Sequence, residues 1–330
     1  MQVIRRANSA HFFPPTVFHI QSIMTTSPRP PAYLRIFLLL FIINLAVYLL
    51  QIAKGVDWMK PELTDLIAWG ANIAPLTMTG EPWRLFSSMF LHIGLIHLAL
   101  NMYMLLICGQ IVERAFGSLN FTLIYCISGL FGSLASASWY AEHKVESVNF
   151  LGQILGSHLE VVVAAGASGA LMGIAGAYLA RWVVLESHHQ NPDPLSMHGA
   201  FAQTIGINLF MGFANTGVDN ACHIGGLFSG AVVGGALALA GDGALKRGVA
   251  VVLVGAASLA LLYVGVHAQP SQDLLDLKAG IQAQLRNAPL RKAEQLNKKV
   301  LAERVELDKK NLAAEIDRDA KTAARHSRYA

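Results

Sequence analysis

Long apolar runs with almost no charge are the feature that most constrains how this chain can fold. Of its 330 residues, 54% are hydrophobic and 14% are charged, whereas soluble globular chains carry about 25% charged residues. A helix needs about 20 apolar residues to cross a bilayer. Candidate spans lie at 34–51, 91–112, 119–139, 165–184, 201–214, 221–240 and 249–266. Because backbone polar groups in lipid must be satisfied internally, these runs predict an all-α polytopic membrane helix bundle.

The basic residues between the spans predict an orientation, because Lys and Arg are enriched in cytoplasmic loops. Several precede the first span or lie near the ends of the second, fourth and sixth, namely Arg5, Arg6, Arg29, Arg35, Arg114, Arg181, Lys246 and Arg247. The opposite side carries Lys54, Lys60, Arg84 and Lys144. This bias favours a cytoplasmic N-terminus and an external C-terminal tail. Compact loops without an organelle-targeting pattern fit a bacterial inner membrane.

The composition also argues against several classes of function. A net charge of +4 is too small to indicate a nucleic-acid partner. The three cysteines lie in apolar stretches, with no CxxC or Cys/His spacing typical of a metal site. The segment HIGLIH lacks the spacing and the glutamate of a zinc-protease motif, and no inverted repeat suggests a transporter. We therefore expect neither a metal nor another cofactor.

Two segments outside the spans have their own character. Residues 52–90 form a connection long enough to be a loop lying partly in the membrane. Residues 268–330 are charged, with helically spaced apolar positions at Leu274, Leu277, Ile281 and Leu285, continued more loosely at Leu296, Val300, Val305, Leu312 and Ile316. The favoured interpretation of this tail is a solvated helical appendage. The alternative is a short coiled coil for self-association or client docking.

Ionisable and amide side chains are costly inside a membrane, and His92, His97, Asn101 and His223 stand out for that reason. His97 and Asn101 lie in the second span, Ser168 at the start of the fourth and His223 at the start of the sixth. Spans two, four and six run in the same direction, so these residues lie at similar depth. His97 and Asn101 share a helix face at i and i+4. His92, five residues earlier, should point about 140° away and hydrogen-bond the incoming loop.

Small residues predict that the fourth and sixth spans approach closely. The repeat of a small residue every fourth position lets helix backbones meet in lipid, and it occurs at Ala165, Gly169 and Gly173 and at Gly226, Gly230 and Gly234. Such an approach would bring Ser168 within reach of His223. A histidine can activate a serine by taking its proton. No acidic residue lies in the spans at this depth, so we expect a Ser-His dyad rather than a triad.

A serine nucleophile also requires hydrogen-bond donors for the oxyanion that forms during acyl transfer. The side chains of His97 and Asn101 can both donate. The backbone N–H of Ser168, at the start of a helix, has no partner within that helix. The sequence thus supplies a nucleophile, a base and oxyanion donors at one level of the bundle.

Five segments of this chain resemble motifs of the rhomboid family of intramembrane serine proteases. In chain order they are WR (83–84), HIGLIHLALN (92–101), VERAFGS (112–118), GASG (166–169) and HIGGLFSG (223–230). Each is weak alone, but five in the correct order are specific. The resemblance covers residues 83–240.

The resemblance implies a six-helix rhomboid core at 33–241, preceded by a cytoplasmic segment at 1–32 and followed by an extra membrane helix at 242–267. Ser168 would be the nucleophile and His223 the base, with His97, Asn101 and the Ser168 amide as oxyanion hole. Gly166 would support the local backbone, and Trp83 and Arg84 would anchor the first long loop. Transmembrane protein substrates would reach the site near span five, with membrane lipid around it.

The sequence departs from the family pattern at one position. Some members carry an aromatic residue four positions after the serine, and this chain has Met172. A methionine can still pack on an imidazole, so activity is expected. An inactive rhomboid-like protein that binds transmembrane clients is the alternative. It is disfavoured because such proteins lose the serine or the histidine, and both are present here.

Overall fold

A computed structural model gives the fold of most of the chain beyond residue 34. It describes residues 35–148, 154–159, 161–187, 195–214, 218–241, 244–266 and 269–289, and positions 306, 309 and 310. The segment predicted at 1–32 and the looser apolar stripe from Leu296 to Ile316 lie outside the described residues.

Helices dominate the described part of the chain. In chain order they are α1 (Ile36–Ala53), α2 (Leu63–Ala68), α3 (Ala74–Thr77), α4 (Arg84–Ser87), α5 (Leu95–Met104), α6 (Gln110–Phe116), α7 (Ser118–Glu142), α8 (Ser168–Ser187), α9 (Leu195–Ala214), α10 (Asn220–Leu239), α11 (Ala244–Val266) and α12 (residues 272–289). A π-helical turn at Leu105–Gly109 joins α5 and α6 into one rod. The predicted all-α polytopic bundle is confirmed.

Five of these segments are long and apolar enough to cross a membrane, namely α1, the α5–α6 rod, α7, α8 and α10. Helices α9 and α11 also occupy predicted spans. Helix α9 has 20 residues, which corresponds to about 30 Å, but it carries His198, Gln203 and Asn208. That α9 and α11 are membrane spans stays a prediction.

The packing nevertheless requires α9 and α11 to run the length of the bundle. Helices α8 and α10 are parallel, because Gly226 meets Gly169 and Gly230 meets Gly173. The intervening α9 must therefore return the chain from the end of α8 to the start of α10. Helix α11 then returns the chain to the end of the bundle where α8 begins. Gly265, near the end of α11, meets Leu134 of α7, and the neighbouring Gly132 of α7 meets Gly169 at the start of α8.

Glycines form the contact between α8 and α10, as the sequence predicts. A Cβ atom on Gly226 would lie 2.0 Å from the Gly169 carbonyl oxygen, and one on Gly230 would lie 2.0 Å from the Gly173 carbonyl oxygen. Gly234 meets Ala177, so the third small residue on α8 is Ala177. Ala165, which the pattern included, precedes the first turn of α8 and lies outside this contact.

One buried carboxylate fastens the start of α1 to the end of the α5–α6 rod. Glu113 accepts hydrogen bonds from the backbone N–H groups of Ile36 and Phe37, each at 3.0 Å, and from the hydroxyl of Ser118. The first N–H groups of a helix lack intrahelical partners. Glu113 supplies those partners, which gives the VERAFGS segment a structural role.

A β-hairpin between α7 and α8 is an addition that helical periodicity did not predict. Strands β1 (Lys144–Val148) and β2 (Ile154–Leu159) pair antiparallel, with Lys144 opposite Leu159. The hairpin follows the end of α7 and precedes the stretch that leads to Ser168. It therefore lies at the same end of the bundle as the predicted site.

Candidate active site

The start of α8 and the first turn of α10 bring Ser168 and His223 together. Ser168 is the first residue of α8, and His223 lies three residues after the start of α10. The Nε2 atom of His223 lies 2.9 Å from the Ser168 hydroxyl oxygen. His223 is buried and Ser168 is half-buried. This pair has the geometry that a serine and its proton acceptor require.

Backbone geometry before Ser168 explains why Gly166 precedes it. Gly166 has a φ of 140°, a conformation that residues with a Cβ rarely adopt. Its N–H donates to the carbonyl oxygen of Ser88 at 2.9 Å. A Cβ at this position would lie 2.7 Å from Cε1 of His97. Both strain and space therefore require glycine here.

His97 and Asn101 converge on the backbone around Gly166. The Nδ1 atom of His97 accepts from the Ile93 backbone N–H at 3.4 Å, so in the neutral ring the proton is on Nε2. That Nε2 lies 2.9 Å from the position of a Cβ on Gly166. One N–H of the Asn101 amide donates to the His97 carbonyl at 3.0 Å, which leaves the other available. Both side chains can thus donate beside Ser168.

His92 is closer to this group than helix geometry predicted. Its ring lies edge-on to the His97 ring, with centroids 5.4 Å apart, so the expectation that it points about 140° away is wrong. The reason is that α5 begins only at Leu95, after Gly94 with a φ of 86°. Helical angles do not apply before that residue. His92 is buried and supports one face of His97.

Asp219 is an acidic residue near His223 whose role the sequence reasoning missed. It is the N-cap of α10, and its carboxylate accepts from the Cys222 backbone N–H at 2.9 Å. Within the described residues, no group hydrogen-bonds Nδ1 of His223, so the carboxylate does not complete a triad. An Asp just before a helical run is an N-cap signal, and DNACH carries it. Cys222 packs against Gly132 and Gly169.

Arg84 is the buried centre of the first loop, defined as residues 54–94. Its Nη1 donates to the carbonyls of Ile67 at 2.7 Å and Ala71 at 3.1 Å, and it pairs with Glu81 at 2.7 Å. The neighbouring Trp83 is 52% exposed, whereas Arg84 is 4% exposed. The guanidinium thus holds the backbone of the loop together. The Trp83 ring lies against it, with its centroid 4.7 Å from Cζ of Arg84.

The first loop is hydrogen-bonded to the segment that leads to Ser168. Asn72 forms a two-way backbone pair with Ala164, with N–O distances of 2.9 and 2.8 Å. Its side chain also donates to the Ser133 carbonyl on α7 at 2.8 Å and accepts from Thr77 at 2.8 Å. No sequence pattern pointed to Asn72, because its partners are distant in the chain.

Known proteins carry the same domain. A family model described as "Rhomboid domain" matches residues 79–240. Rhomboid protease AarA from Providencia stuartii is 36% identical over 203 residues, which make up 59% of this chain and 70% of that protein. The chain belongs to the rhomboid family. Ser168, His223, His97, Asn101 and Gly166 all lie within the matched rhomboid domain.

Two other rhomboid relatives are similar to this chain. Rhomboid protease GluP from Bacillus subtilis is 35% identical, covering 74% of this chain and 42% of that protein. RHOMBOID-like protein 6, mitochondrial, from Arabidopsis thaliana is 37% identical, covering 47% of this chain and 43% of that protein. The chain therefore spans less than half the length of these two relatives. The rhomboid domain and the five long apolar helices together show that this rhomboid is an integral membrane protein.

Two further features of the rhomboid site follow from the described residues. Met172, where some members carry an aromatic ring, is buried in α8 one turn after Ser168. Among the residues that the structure describes, no cluster of three His, Cys, Asp or Glu side chains could hold a metal ion.

Proposed function

We propose that this rhomboid is an intramembrane serine endopeptidase that cleaves transmembrane protein substrates with Ser168 as nucleophile and His223 as base. The observation that carries the proposal is the 2.9 Å distance between Nε2 of His223 and the Ser168 hydroxyl oxygen. Family membership supports the coarser statement that this is a membrane protease, since relatives are named rhomboid proteases.

The first half of the reaction forms an acyl-enzyme. The Ser168 hydroxyl oxygen attacks the carbonyl carbon of the scissile peptide bond while Nε2 of His223 takes the hydroxyl proton. Negative charge develops on the carbonyl oxygen, where His97, Asn101 and the Ser168 backbone N–H donate hydrogen bonds. The C–N bond then breaks, and His223 returns the proton to the leaving amine. The other fragment remains bound to Ser168 as an ester.

The second half releases that fragment by hydrolysis. His223 takes a proton from a water molecule, whose oxygen attacks the ester carbonyl. The oxyanion donors act again, the C–O bond to Ser168 breaks, and the serine oxygen recovers its proton. The products are one fragment with a new amine and one with a new carboxyl group. Ser168 is half-buried, which is consistent with access of water to the ester.

The substrate and location belong to the same proposal. Helix α9, beside which substrates would enter, exposes large apolar side chains near its end, with Phe210 69% and Phe213 77% exposed. A transmembrane segment could pack against that surface. The bias of Lys and Arg favours a cytoplasmic N-terminus, and the site would then open toward the external side of a bacterial inner membrane.

The decisive experiment combines the purified protein in liposomes with a reporter transmembrane substrate. Cleavage should be lost in Ser168→Ala and in His223→Ala, with helical content and thermal unfolding unchanged. The matched control is Ser187→Ala, at the other end of α8, where the hydroxyl donates to the Val184 carbonyl. Cleavage that persists in Ser168→Ala would overturn the proposal.

A client-binding protein without catalysis would behave differently in the same assay. It would bind the reporter in the wild type and in Ser168→Ala alike, without any cleavage. A fluorophosphonate probe separates the two cases, because it reacts covalently only with an activated serine. The proposed mechanism requires labelling of Ser168 that disappears in His223→Ala.

A further inference from the structure

The C-terminal helix α12 packs an apolar stripe on the first loop. The stripe consists of Leu274, Leu277, Ile281 and Leu285, the same positions that the sequence placed on one helix face. Leu274 is 2% exposed and lies in a cluster with Ala74 and Met78. Further along the helix, Ile281 packs in a second cluster with Ile73. This face of α12 is thus occupied by the same chain.

Polar contacts at the edges of the stripe hold α12 in this position. The Lys278 ammonium donates to the Thr79 carbonyl of the first loop. Asp273 pairs with Lys144, at the start of the hairpin, with 2.7 Å between their charged atoms. The helix therefore contacts two separate segments at the end of the bundle where Ser168 lies. An exposed ion pair contributes little stability, so the apolar stripe supplies most of the binding.

The surface that α12 covers is the one that holds the backbone before Ser168. Ile281 belongs to a cluster that also contains Val163, next to Ala164. Ala164 is paired with Asn72 of the loop through two backbone hydrogen bonds. A continuous path of contacts thus runs from α12 through the loop to the segment that leads into Ser168.

We infer that α12 is an intramolecular clamp that keeps the first loop seated and thereby positions the Ser168 backbone for reaction. The inference rests on the proposed function of Ser168 for its catalytic part, whereas the clamping of the loop stands on the packing alone. It also assigns the stripe at 274–285 to this loop rather than to a coiled coil. The side chains of α12 do not touch the reacting atoms, so they are positioning residues.

The test compares two double variants in the full chain, reconstituted in lipid nanodiscs. Leu274→Ala with Ile281→Ala removes buried contacts, and Leu275→Ala with Gln282→Ala changes the adjacent exposed positions. Amide hydrogen exchange at 72–77 and 163–166 should accelerate about tenfold or more in the first variant only. Its fluorophosphonate labelling rate and kcat should fall, with KM unchanged. The conservative pair Leu274→Met and Ile281→Leu should restore both.

Each outcome of this test has a distinct meaning. Unchanged exchange in the first variant would show that α12 does not hold the loop, and the inference would be wrong. Faster exchange with wild-type labelling would overturn the positioning of Ser168. If the wild type itself neither labels nor cleaves, the proposed function fails, whereas the exchange data still test the clamp. If the double variant does not fold, the single variant Leu277→Ala replaces it in the same exchange and labelling measurements.

Discussion

The imidazole of His223 meets the hydroxyl of Ser168 at 2.9 Å although the two residues are 55 positions apart in the chain. The contact exists because α8 and α10 are parallel and begin at the same end of the bundle. Gly226 on one helix lies against Gly169 on the other, immediately beyond the pair. A close backbone approach of the two helices therefore sets the distance between nucleophile and base.

Removal of an oxyanion donor should lower kcat more than it raises KM. His97→Ala and Asn101→Ala should each lower kcat by about 10²-fold, because each removes a hydrogen bond that strengthens as the carbonyl oxygen becomes charged. KM should change little. Steady-state kinetics with a reporter transmembrane substrate measure both constants. Tyr103→Ala, an exposed change on the same helix as His97, is the control, and a loss of the same size there would contradict the assignment.

The glycine contact predicts a sharp difference between two positions on α10. A Cβ on Gly230 would lie 2.0 Å from the Gly173 carbonyl oxygen, whereas one on Gly235 would make an ordinary 3.7 Å contact with Ala180. Gly230→Ala should destabilise the fold by about 1–3 kcal/mol because neither backbone can move without separating the helices. Gly235→Ala should be near neutral. Thermal unfolding in detergent measures the difference, and equal stability would exclude close packing at Gly230.

Asp219 should matter for helix stability rather than for proton transfer. Asp219→Ala removes the side-chain acceptor for the Cys222 N–H and should cost about 1 kcal/mol. Asp219→Asn keeps an acceptor oxygen and should retain both stability and kcat. Unfolding and kinetics on the two variants separate these effects. A large loss of kcat in stable Asp219→Asn would instead indicate that the carboxylate assists His223.

Arg84 should resist replacement by lysine. Its guanidinium reaches two carbonyls and Glu81 at once, a fork that a lysine ammonium cannot reproduce. Arg84→Lys should destabilise the first loop by about 1–3 kcal/mol because buried carbonyls lose their donors. Limited proteolysis within 60–80 reports the loosening. Lys60→Arg, at an exposed position of the same loop, is the control, and equal protection in Arg84→Lys would refute the role.

The sequence predicted the parts of the site that follow from local patterns. The i, i+4 spacing placed His97 and Asn101 on one face, and the small residues at every fourth position predicted that α8 meets α10. These predictions succeeded because helix geometry is regular within a span. Helical geometry mispredicted His92 and Ala165, because both lie before the first turn of their helices, where regular angles no longer hold.

Asn72 illustrates what such patterns cannot supply. The backbone pair of Asn72 with Ala164 joins segments that are 92 residues apart by number, and hydrogen bonds between irregular segments leave no periodic signature. The amphipathic stripe of α12 was visible in the sequence, but its partner was not. An apolar face indicates that something is buried against it without specifying what.

The sequence by itself determined the five long apolar helices, their polar residues and the close approach of α8 and α10, because hydropathy and helical spacing are local properties of the chain. The tertiary structure alone decided how the first loop holds the backbone before Ser168 and that α12 covers the loop. Those outcomes depend on which distant segments fit together in space, and that fit is set by shape and hydrogen-bond geometry across the whole bundle.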